Sequence, residues 1–390
     1  MSIADRGSAV MMTNYPPRPL TLVRGEGCWV WDDAGNRYLD LVAGIAVVTL
    51  GHAHPAPARA LAEQAAVLGH VSNLFWSEPA IALAERLCAL SGMERAFFCN
   101  SGAEANEAAI KLARRHGREV GGAEKHEIVS LEGAFHGRTM GALAATWGEA
   151  KKAPFEPLPT GFRHVPRGDH EALRAAVGPQ TAGVLIEPIQ GEGGVHVIDD
   201  DYLALARELC NEHGALLLFD EVQTGIGRTG AWFSFQRSGV QPDAISLAKG
   251  LACGLPIGAL LSRDLATGFR PGDHGTTYGG SPAIAAGALA TIDAVEVEDL
   301  IGNAQRMGRR LADGMLAVPG VAAVRGAGLM VAVELAGGDA AGVATALRER
   351  GVLVNAVTES ALRLIPPLVI DAQQIDLAVD ALRGVLADRA

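Results

Sequence analysis

The chain has 390 residues, which is enough for one large domain or two smaller ones with separate cores. Its 44 acidic and 33 basic side chains give a net charge of -11. A surface with this excess of negative charge repels nucleic-acid phosphates and anionic membranes. We therefore expect the ligand to be a small polar metabolite and expect neither nucleic acid nor membrane as a partner.

The five cysteines are an odd number without a C-x-x-C pair, which favours a reducing, cytoplasmic compartment over a disulfide framework.

The first predicted elements form a hairpin. Gly35 and Asn36 separate the runs Cys28–Asp32 and Arg37–Val42, a pattern typical of a hairpin turn.

From about residue 80, short apolar runs alternate with helical patterns. The runs predicted to be buried strands are Ala96–Cys99, Glu127–Leu131, Ala182–Ile186, Ala215–Phe219, Asp243–Ala248 and Ile257–Leu261. Amphipathic patterns predict helices over Glu104–His116 and Tyr202–His213, each ended by the glycine that follows, Gly117 or Gly214. This alternation predicts an α/β fold with a mostly parallel sheet covered on both faces.

The last third of the chain differs in pattern. An alanine-rich helical pattern follows residue 282, and the region from Val321 to Pro367 is typical of a smaller α+β unit. We therefore predict an N-terminal segment over 1–50 that packs with the small domain, a large domain over 51–281 and a small C-terminal domain over 282–390.

Ligands of parallel sheets bind beyond the carboxyl ends of the strands, so polar residues that follow a strand are candidates. The segment Asn100–Glu104 follows one predicted strand. Ser101 is a good N-cap, and Glu104 would complete a capping box. Gly102 lets the backbone approach a ligand, and the free N–H groups of the first turn attract an anion. The segment predicts a phosphate site or, alternatively, only a well-capped helix.

Asp220 directly follows the apolar run Leu216–Phe219. A buried carboxylate is costly unless it meets a cation or several hydrogen-bond donors. A protonated pyridine nitrogen is such a cation, and the carboxylate would keep the ring protonated as an electron sink. The alternative is an aspartate that caps the following turn.

Lys249 is the only charge at the end of another apolar strand and precedes Gly250. Such a lysine can form an imine with an aldehyde and later move a proton, although a surface lysine is the alternative. Together the three segments could hold the phosphate, ring nitrogen and aldehyde of a pyridine phosphate, on one side of the sheet.

Two other motifs are weaker. Gly225–Gly230 has the form G-x-G-x-x-G, but it does not directly leave a strand and no helix pattern follows it, which argues against a dinucleotide site. His52 and His54 lack an obvious third ligand, so we expect turn chemistry there and no metal site.

An ordered series of segments over nearly the whole chain resembles the class III, fold-type I aminotransferases, which use pyridoxal phosphate. Within that class the chain is most similar to the acetylornithine aminotransferases. The series comprises Gly44–Val47, Leu50–Pro55, His70–Asn73, Asn100–Glu104, Phe135–Thr139, Glu187–Gly194, Asp220–Gly230, Lys249–Gly250, Gly275–Gly280 and Arg363–Pro367. The resemblance implies a large domain with a mostly parallel sheet and a smaller α+β domain.

The resemblance also implies roles at the ring of the cofactor. Lys249 would carry the cofactor and move the substrate proton, and Asp220 would pair with the pyridine nitrogen. Val222 and Phe135 would lie on the two faces of the ring, with Gln223 at its phenolic oxygen.

At the phosphate, the resemblance implies Ser101 and the backbone N–H groups of Gly102 and Ala103. Thr277 would reach the same phosphate from a partner subunit. This implies a homodimer with shared active sites.

The implied reaction transfers an amino group between N2-acetyl-L-ornithine and 2-oxoglutarate, with glutamate as a product, in arginine biosynthesis. Only glutamate reacts beside a carboxylate, so the site needs one distant cation and one near cation. By resemblance Arg138, with Thr276, is the distant one and Arg363 the near one. Arg363 must be neutralised when acetylornithine is bound, and we expect Glu192, or else Glu187, to do so.

Two other functions stay open. One is another ω-aminotransferase of this class, acting on ornithine, succinylornithine, a carrier-bound amine or 4-aminobutyrate. The other is a silent structural relative, which is disfavoured because Lys249, Asp220 and the phosphate segment each cost stability if unused.

Overall fold

The structure is a computed structural model that describes residues 1–389. Its strands are β1 Leu22–Glu26, β2 Trp29–Asp32, β3 Arg37–Asp40, β4 Arg95–Cys99, β5 Glu127–Leu131, β6 Phe162–Val165, β7 Thr181–Ile186, β8 Ile189–Gln190, β9 His196–Val197, β10 Leu216–Asp220, β11 Ala244–Leu247, β12 Gly258–Ser262, β13 Val321–Ala327, β14 Met330–Leu335, β15 Val352–Leu353, β16 Asn355–Ala356 and β17 Ala361–Leu364.

The helices are α1 Ile3–Val10, α2 Ala43–Ala46, α3 Pro55–Val67, α4 Glu78–Ser91, α5 Gly102–Gly121, α6 Met140–Ala145, α7 Glu149–Lys152, α8 His170–Ala176, α9 Asp200–His213, α10 Phe235–Ser238, α11 Pro282–Val297, α12 Leu300–Leu316, α13 Ala340–Glu349 and α14 Ala372–Ala387. Two 3-10 turns cover Ala153–Phe155 and Lys249–Ala252. Within residues 1–389, no helix combines the length and apolar character needed to cross a membrane.

The central sheet has seven strands in the order β4-β12-β11-β10-β7-β5-β6. Only β12 runs antiparallel to its neighbours β4 and β11, while the other pairs are parallel. The predicted α/β fold with a mostly parallel sheet is confirmed. Since β4 and β11 are both antiparallel to β12, the carboxyl ends of β4, β10 and β11 lie at one edge of the sheet.

Helices cover both faces of this sheet, and β10 shows how. Successive side chains of a strand point to opposite faces. Leu216 and Leu218 belong to a core shared with the buried face of α5, whereas Leu217 and Phe219 belong to the core that holds α9. Because both faces of β10 are covered, the strand is apolar until Asp220, where it meets the ligand-binding edge.

One predicted helix end is wrong. Gly117 does not end α5 but lies inside it, and the helix continues to Gly121. A Cβ at position 117 would overlap the Lys125 carbonyl and approach the Ala182 Cβ to 2.9 Å, so this glycine allows close packing of α5. Gly214, in contrast, follows α9 in a left-handed conformation with φ 60°, as predicted.

The two ends of the chain share a second sheet of order β1-β2-β3-β15, with the predicted hairpin between β2 and β3. There β3 pairs in parallel with β15, which comes from the last third of the chain. A third sheet, β13-β14-β17-β16, carries Arg363 on β17. The domain boundaries at residues 50 and 281 stay predictions.

Candidate active site

A cavity of about 400 Å³ opens at the carboxyl edge of the central sheet. It brings together residues that are far apart in sequence. Of the residues singled out from the sequence, those that line it are Ser101, Gly102, Ala103, Phe135, Arg138, Glu187, Glu192, Asp220, Val222, Gln223 and Lys249. Thr276, Thr277 and Arg363 lie outside this lining.

Lys249 follows β11 after one residue and is half-buried against the cavity. Its φ of 41° lies in the left-handed region, which costs a residue other than glycine roughly 1–3 kcal/mol. Burial lowers the pKa of its amine, and the charge of Glu192 opposes this only in part. The backbone therefore aims into the cavity an amine that loses its proton more readily than a surface lysine, as a nucleophile requires.

Asp220 ends β10 and is 4% exposed. Its Oδ2 accepts hydrogen bonds from His136 Nδ1 at 2.8 Å and Asn106 Nδ2 at 2.7 Å. Its Oδ1 accepts one from the backbone N–H of Val222 at 3.0 Å, so Asp220 also caps the following turn. Three donors compensate for burying the carboxylate and fix its orientation.

The N-terminus of α5 forms another wall of the cavity. Ser101 Oγ accepts from the Glu104 N–H at 3.2 Å, as expected of an N-cap. The second half of the predicted capping box is wrong, because Glu104 Oε2 accepts from Asn100, through its backbone N–H at 2.5 Å and its Nδ2 at 3.0 Å. Within residues 1–389, the N–H groups of Gly102 and Ala103 meet no acceptor. They remain available to an anion.

Gly102 also has a role in packing that the sequence did not reveal. A Cβ at this position would lie 2.7 Å from Val222 Cγ1. The glycine thus lets the first turn of α5 touch the side chain that forms one wall of the cavity.

The remaining walls come from Phe135 and its neighbours. Phe135 and Val222 are both half-buried and line the cavity. Arg138 is exposed at the rim, with its guanidinium carbon 5.5 Å from the centre of the Phe135 ring. A cation at the rim is accessible to a carboxylate that enters from solvent.

Arg363 lies behind the cavity on β17 and is 2% exposed. Its Nη1 donates to Glu192 Oε1 at 2.5 Å and to Gln223 Oε1 at 3.2 Å. Burial alone would raise the pKa of Glu192, but the charge and hydrogen bond of Arg363 hold that pKa below its usual range. The Glu192 side chain is 32% exposed and separates Arg363 from the cavity.

Glu187, the second candidate partner of Arg363, has other contacts. Its Oε1 accepts from the Phe135 N–H at 2.8 Å and its Oε2 from the Gly191 N–H at 3.1 Å. Burial raises the pKa of Glu187 to about 7. It is the Glu192 carboxylate that the structure brings to Arg363.

Two predicted threonines lie beside this cavity but not in it. Thr276 Oγ1 accepts from Asn100 Nδ2 at 3.3 Å, and Thr277 is exposed. Neither side chain lines the cavity of its own chain.

Sequence reasoning missed three buried polar residues. His136 and Asn106 donate to Asp220, and Asn106 Oδ1 accepts from Ser246 Oγ at 2.6 Å. His136 Nε2 is buried without a partner among residues 1–389, so the hydrogen bond of its ring to Asp220 runs through Nδ1. The available signal was that Asn106 is a polar residue on the apolar face of α5.

The two weaker motifs have local roles. In Gly225–Gly230, the buried Arg228 donates to the carbonyls of Leu329, at 3.0 Å, and Pro366, which joins this turn to the C-terminal sheet region. His52 Nε2 bonds Asp40 at 2.8 Å, and His54 Nδ1 accepts from Ala56 to cap α3. Within residues 1–389, no group of three or more His, Cys, Asp or Glu side chains could hold a metal.

The donor set fits a pyridine ring that carries a phosphate and an aldehyde. Around one cavity lie two free N–H groups at a helix N-terminus, a buried carboxylate and an amine with a lowered pKa. These groups match an anion, a protonated ring nitrogen and a carbonyl carbon respectively.

Comparison with known proteins agrees with this geometry. The family described as aminotransferase class-III matches residues 10–386. An acetylornithine aminotransferase of Mycolicibacterium smegmatis is 51% identical over 99% of this chain and 98% of that protein.

Solved structures are similar as well. An N-acetylornithine aminotransferase from Stenotrophomonas maltophilia superposes with a TM-score of 0.85 at 35% identity, over 99% of both chains. An ornithine aminotransferase from Toxoplasma gondii, with partial occupancy of pyridoxal phosphate at its active site, gives 0.93 at 32% identity, over 99% of this chain and 94% of that one. The chain belongs to the class-III aminotransferase family.

Proposed function

We propose that this enzyme transfers an amino group between N2-acetyl-L-ornithine and 2-oxoglutarate, giving N-acetylglutamate 5-semialdehyde and L-glutamate, in arginine biosynthesis. The observation that carries the proposal is a buried arginine, Arg363, whose charge is neutralised by Glu192 at the edge of the cavity. Such a pair suits an enzyme that must bind one substrate with a carboxylate beside the reacting amine and one without it. The 51% identity to an acetylornithine aminotransferase supports the choice of substrate.

Pyridoxal phosphate, the cofactor of this family, supplies an aldehyde that exchanges amino groups and a ring that stores electrons. We assign its covalent attachment to Lys249 Nζ and its phosphate to Ser101 and the N–H groups of Gly102 and Ala103. Asp220, oriented by its three donors, keeps a proton on the ring nitrogen.

The other residues orient the ring and move the proton. Phe135 and Val222, which both line the cavity, would confine the ring, and Gln223 would bind its phenolic oxygen. Lys249 Nζ would take the substrate proton, because its lowered pKa makes the unprotonated amine available as a base.

Arg138 and Arg363 divide the recognition of substrate carboxylates. Arg138 at the rim, with Thr276 nearby, binds the distant carboxylate that both substrates possess. Arg363 binds the near carboxylate of glutamate after Glu192 has turned away, and it stays paired with Glu192 when acetylornithine is bound. This arrangement avoids leaving a desolvated guanidinium unpaired in either half-reaction.

A screen of amino donors tests the substrate. The holoenzyme is mixed separately with N-acetylornithine, ornithine, succinylornithine and 4-aminobutyrate, and the change in cofactor absorbance gives each rate. We expect the largest kcat/KM with N-acetylornithine. A clearly larger value with ornithine or 4-aminobutyrate would overturn the substrate and leave the aminotransferase assignment intact.

We further propose a homodimer with shared active sites. Thr277 is exposed and outside the cavity of its own chain, although we assign it to the phosphate of a partner subunit. Beside it, Leu74, Phe75 and Trp76 are 81%, 72% and 90% exposed, and Tyr278 is 66% exposed. An apolar surface of this kind is typical of a subunit interface.

Mixing two inactive variants tests the shared sites. Lys249→Ala and Thr277→Asp are each expected to be inactive, the second because aspartate repels the phosphate. If sites are shared, a mixed dimer contains one site with both changes and one intact site, so activity returns on mixing. Activity that stays absent in verified mixed dimers would mean that each chain builds its own site.

We also propose a cytoplasmic location. All five cysteines are free thiols, and burial raises the pKa of Cys28, Cys99 and Cys210 to about 12. Thiols of this kind stay protonated and unreactive in a reducing compartment. Fractionation of cells with an antibody against the chain would test this location.

A further inference from the structure

Glu187 is a buried carboxylate that the proposed chemistry does not use. It directly follows β7, lines the cavity and is 6% exposed. Each of its two oxygens accepts a backbone N–H from a different segment, Oε1 from Phe135 and Oε2 from Gly191. Both direct partners of this buried carboxylate are neutral N–H groups, and burial of a carboxylate on such contacts is costly.

The first of these segments leads to the part of the cavity lined by Phe135 and Asp220, which we call the ring end. Phe135 forms a wall, and the next residue, His136, donates from Nδ1 to Asp220 Oδ2. The His136 backbone N–H in turn donates to Thr146 Oγ1 at 2.9 Å. A carboxylate that fixes the Phe135 N–H therefore fixes the start of the segment that orients Asp220.

The second segment leads to the part of the cavity where Glu192 pairs with Arg363, which we call the arginine end. Gly191 directly precedes Glu192, and a Cβ at position 191 would lie 2.6 Å from Gln223 Cδ. Gln223 Oε1 accepts from Arg363, as Glu192 does. The Gly191 backbone is thus fixed by its hydrogen bond to Glu187 and lies against the Gln223 side chain, immediately before Glu192.

We propose that Glu187 is a positioning residue that holds the Phe135–His136 segment and the Gly191–Glu192 segment in register across the cavity. Through these two segments, Glu187 links the affinity for the cofactor to the position of the Glu192 carboxylate, which neutralises Arg363. This inference rests on the proposed function, because it assumes that Glu192 pairs with Arg363 in only one half-reaction. Burial raises the pKa of Glu187 to about 7, the direction expected of a carboxyl group that is buried on two backbone N–H groups.

Glu221 provides a matched control. It is also buried after a central strand, and burial also raises its pKa to about 7. Its partners are the Thr224 hydroxyl and the Phe235 N–H at 2.8 Å, and it does not line the cavity. A merely structural buried glutamate should behave like Glu221.

The test uses Glu187→Gln, Glu187→Asp and Glu221→Gln. Glutamine can accept from only one of the two N–H groups and presents its own N–H to the other, whereas aspartate keeps the charge but is one methylene shorter. Two readouts are made: the dissociation constant of pyridoxal phosphate from the apoenzyme, and the ratio of the acetylornithine to the glutamate half-reaction rates.

For Glu187→Gln we expect cofactor affinity to fall about tenfold and the half-reaction ratio to fall about fivefold, the scale of one lost hydrogen bond. Glu187→Asp should lie between this variant and the wild type. Glu221→Gln should change neither quantity by more than about twofold. A Glu187→Gln enzyme with an unchanged ratio, or one whose changes match those of Glu221→Gln, overturns the proposal.

A further variant covers the case in which Glu187→Gln does not fold. Gly191→Ala would push on Gln223, which accepts from Arg363, without touching Phe135, so the half-reaction ratio should fall. An unchanged ratio contradicts the role given to the Gly191–Glu192 segment. Failure of the proposed function is distinguishable, because the wild-type enzyme would then react clearly faster with ornithine or 4-aminobutyrate than with N-acetylornithine.

Discussion

The two ends of the cavity are built differently. At the ring end, Asp220 is 4% exposed and receives three hydrogen bonds from a helix, a loop and its own turn. At the arginine end, Arg363 donates to Glu192, Gln223 and Asn355, and its ion pair is with a Glu192 side chain that is 32% exposed. Under our proposal the ring end would hold the same cofactor in both half-reactions, which agrees with its several fixed contacts. The arginine end would receive two kinds of substrate, which agrees with an ion pair that can break.

The largest effect should follow a change at the ring end. Asp220→Asn removes the charge that we assign to the ring nitrogen and leaves His136 and Asn106 facing a neutral amide. Removing one partner of a buried charge pair costs about 3–5 kcal/mol, so we expect kcat/KM to fall by roughly 10²- to 10⁴-fold in both half-reactions. Stopped-flow rates with each donor measure this, and a loss confined to one half-reaction would contradict it.

A change at the arginine end should separate the half-reactions. Glu192→Gln leaves Arg363 desolvated without a counter-charge when acetylornithine is bound. We expect kcat/KM to fall about 30-fold for acetylornithine, equivalent to about 2 kcal/mol, and less than about threefold for glutamate. Equal losses for both donors would show that Glu192 only orders its loop.

A smaller effect is expected from the support of Asp220. Asn106→Ala removes one of three donors to this carboxylate and the acceptor of Ser246 Oγ. One hydrogen bond contributes about 1 kcal/mol, so the affinity for pyridoxal phosphate should fall about fivefold. Asn303→Ala is a suitable control, since Asn303 donates to the carbonyls of Leu368 and Ile370 away from the cavity.

The smallest effect on activity should come from Glu221, next to Asp220 but outside the cavity. Burial raises its pKa from the usual 4.5 to about 7, so the folded protein binds more protons than the unfolded chain between these pH values. Its contribution to stability is fully present below about pH 4.5 and is lost as the pH rises through about 7.

Glu221→Gln should therefore flatten the decline of the melting temperature between pH 4.5 and 7 while kcat stays within about twofold of the wild type. Thermal melts across this range measure the change. An unaltered pH dependence would show that Glu221 does not titrate in this window.

The sequence was sufficient for features that depend on local patterns. The apolar runs predicted six of the seven strands of the central sheet, all except β6. Both ends of each predicted strand lie within one residue of the structure. The carboxylate of Asp220 and the amine of Lys249 stood out because each follows a run of apolar residues. Parallel strands place such residues at one edge, so the cavity itself could be anticipated.

Tertiary contacts decided the rest. The sequence offered Glu192 and Glu187 as partners of Arg363, and only the folded chain puts Glu192 at 2.5 Å and turns Glu187 toward two backbone N–H groups. The prediction that Gly117 ends a helix was wrong. A glycine is needed at this position because the Lys125 carbonyl packs against the helix there, and no local sequence pattern encodes that contact. Strand ends follow from local hydrophobicity, whereas the partner of a buried charge is selected by segments that meet only after folding.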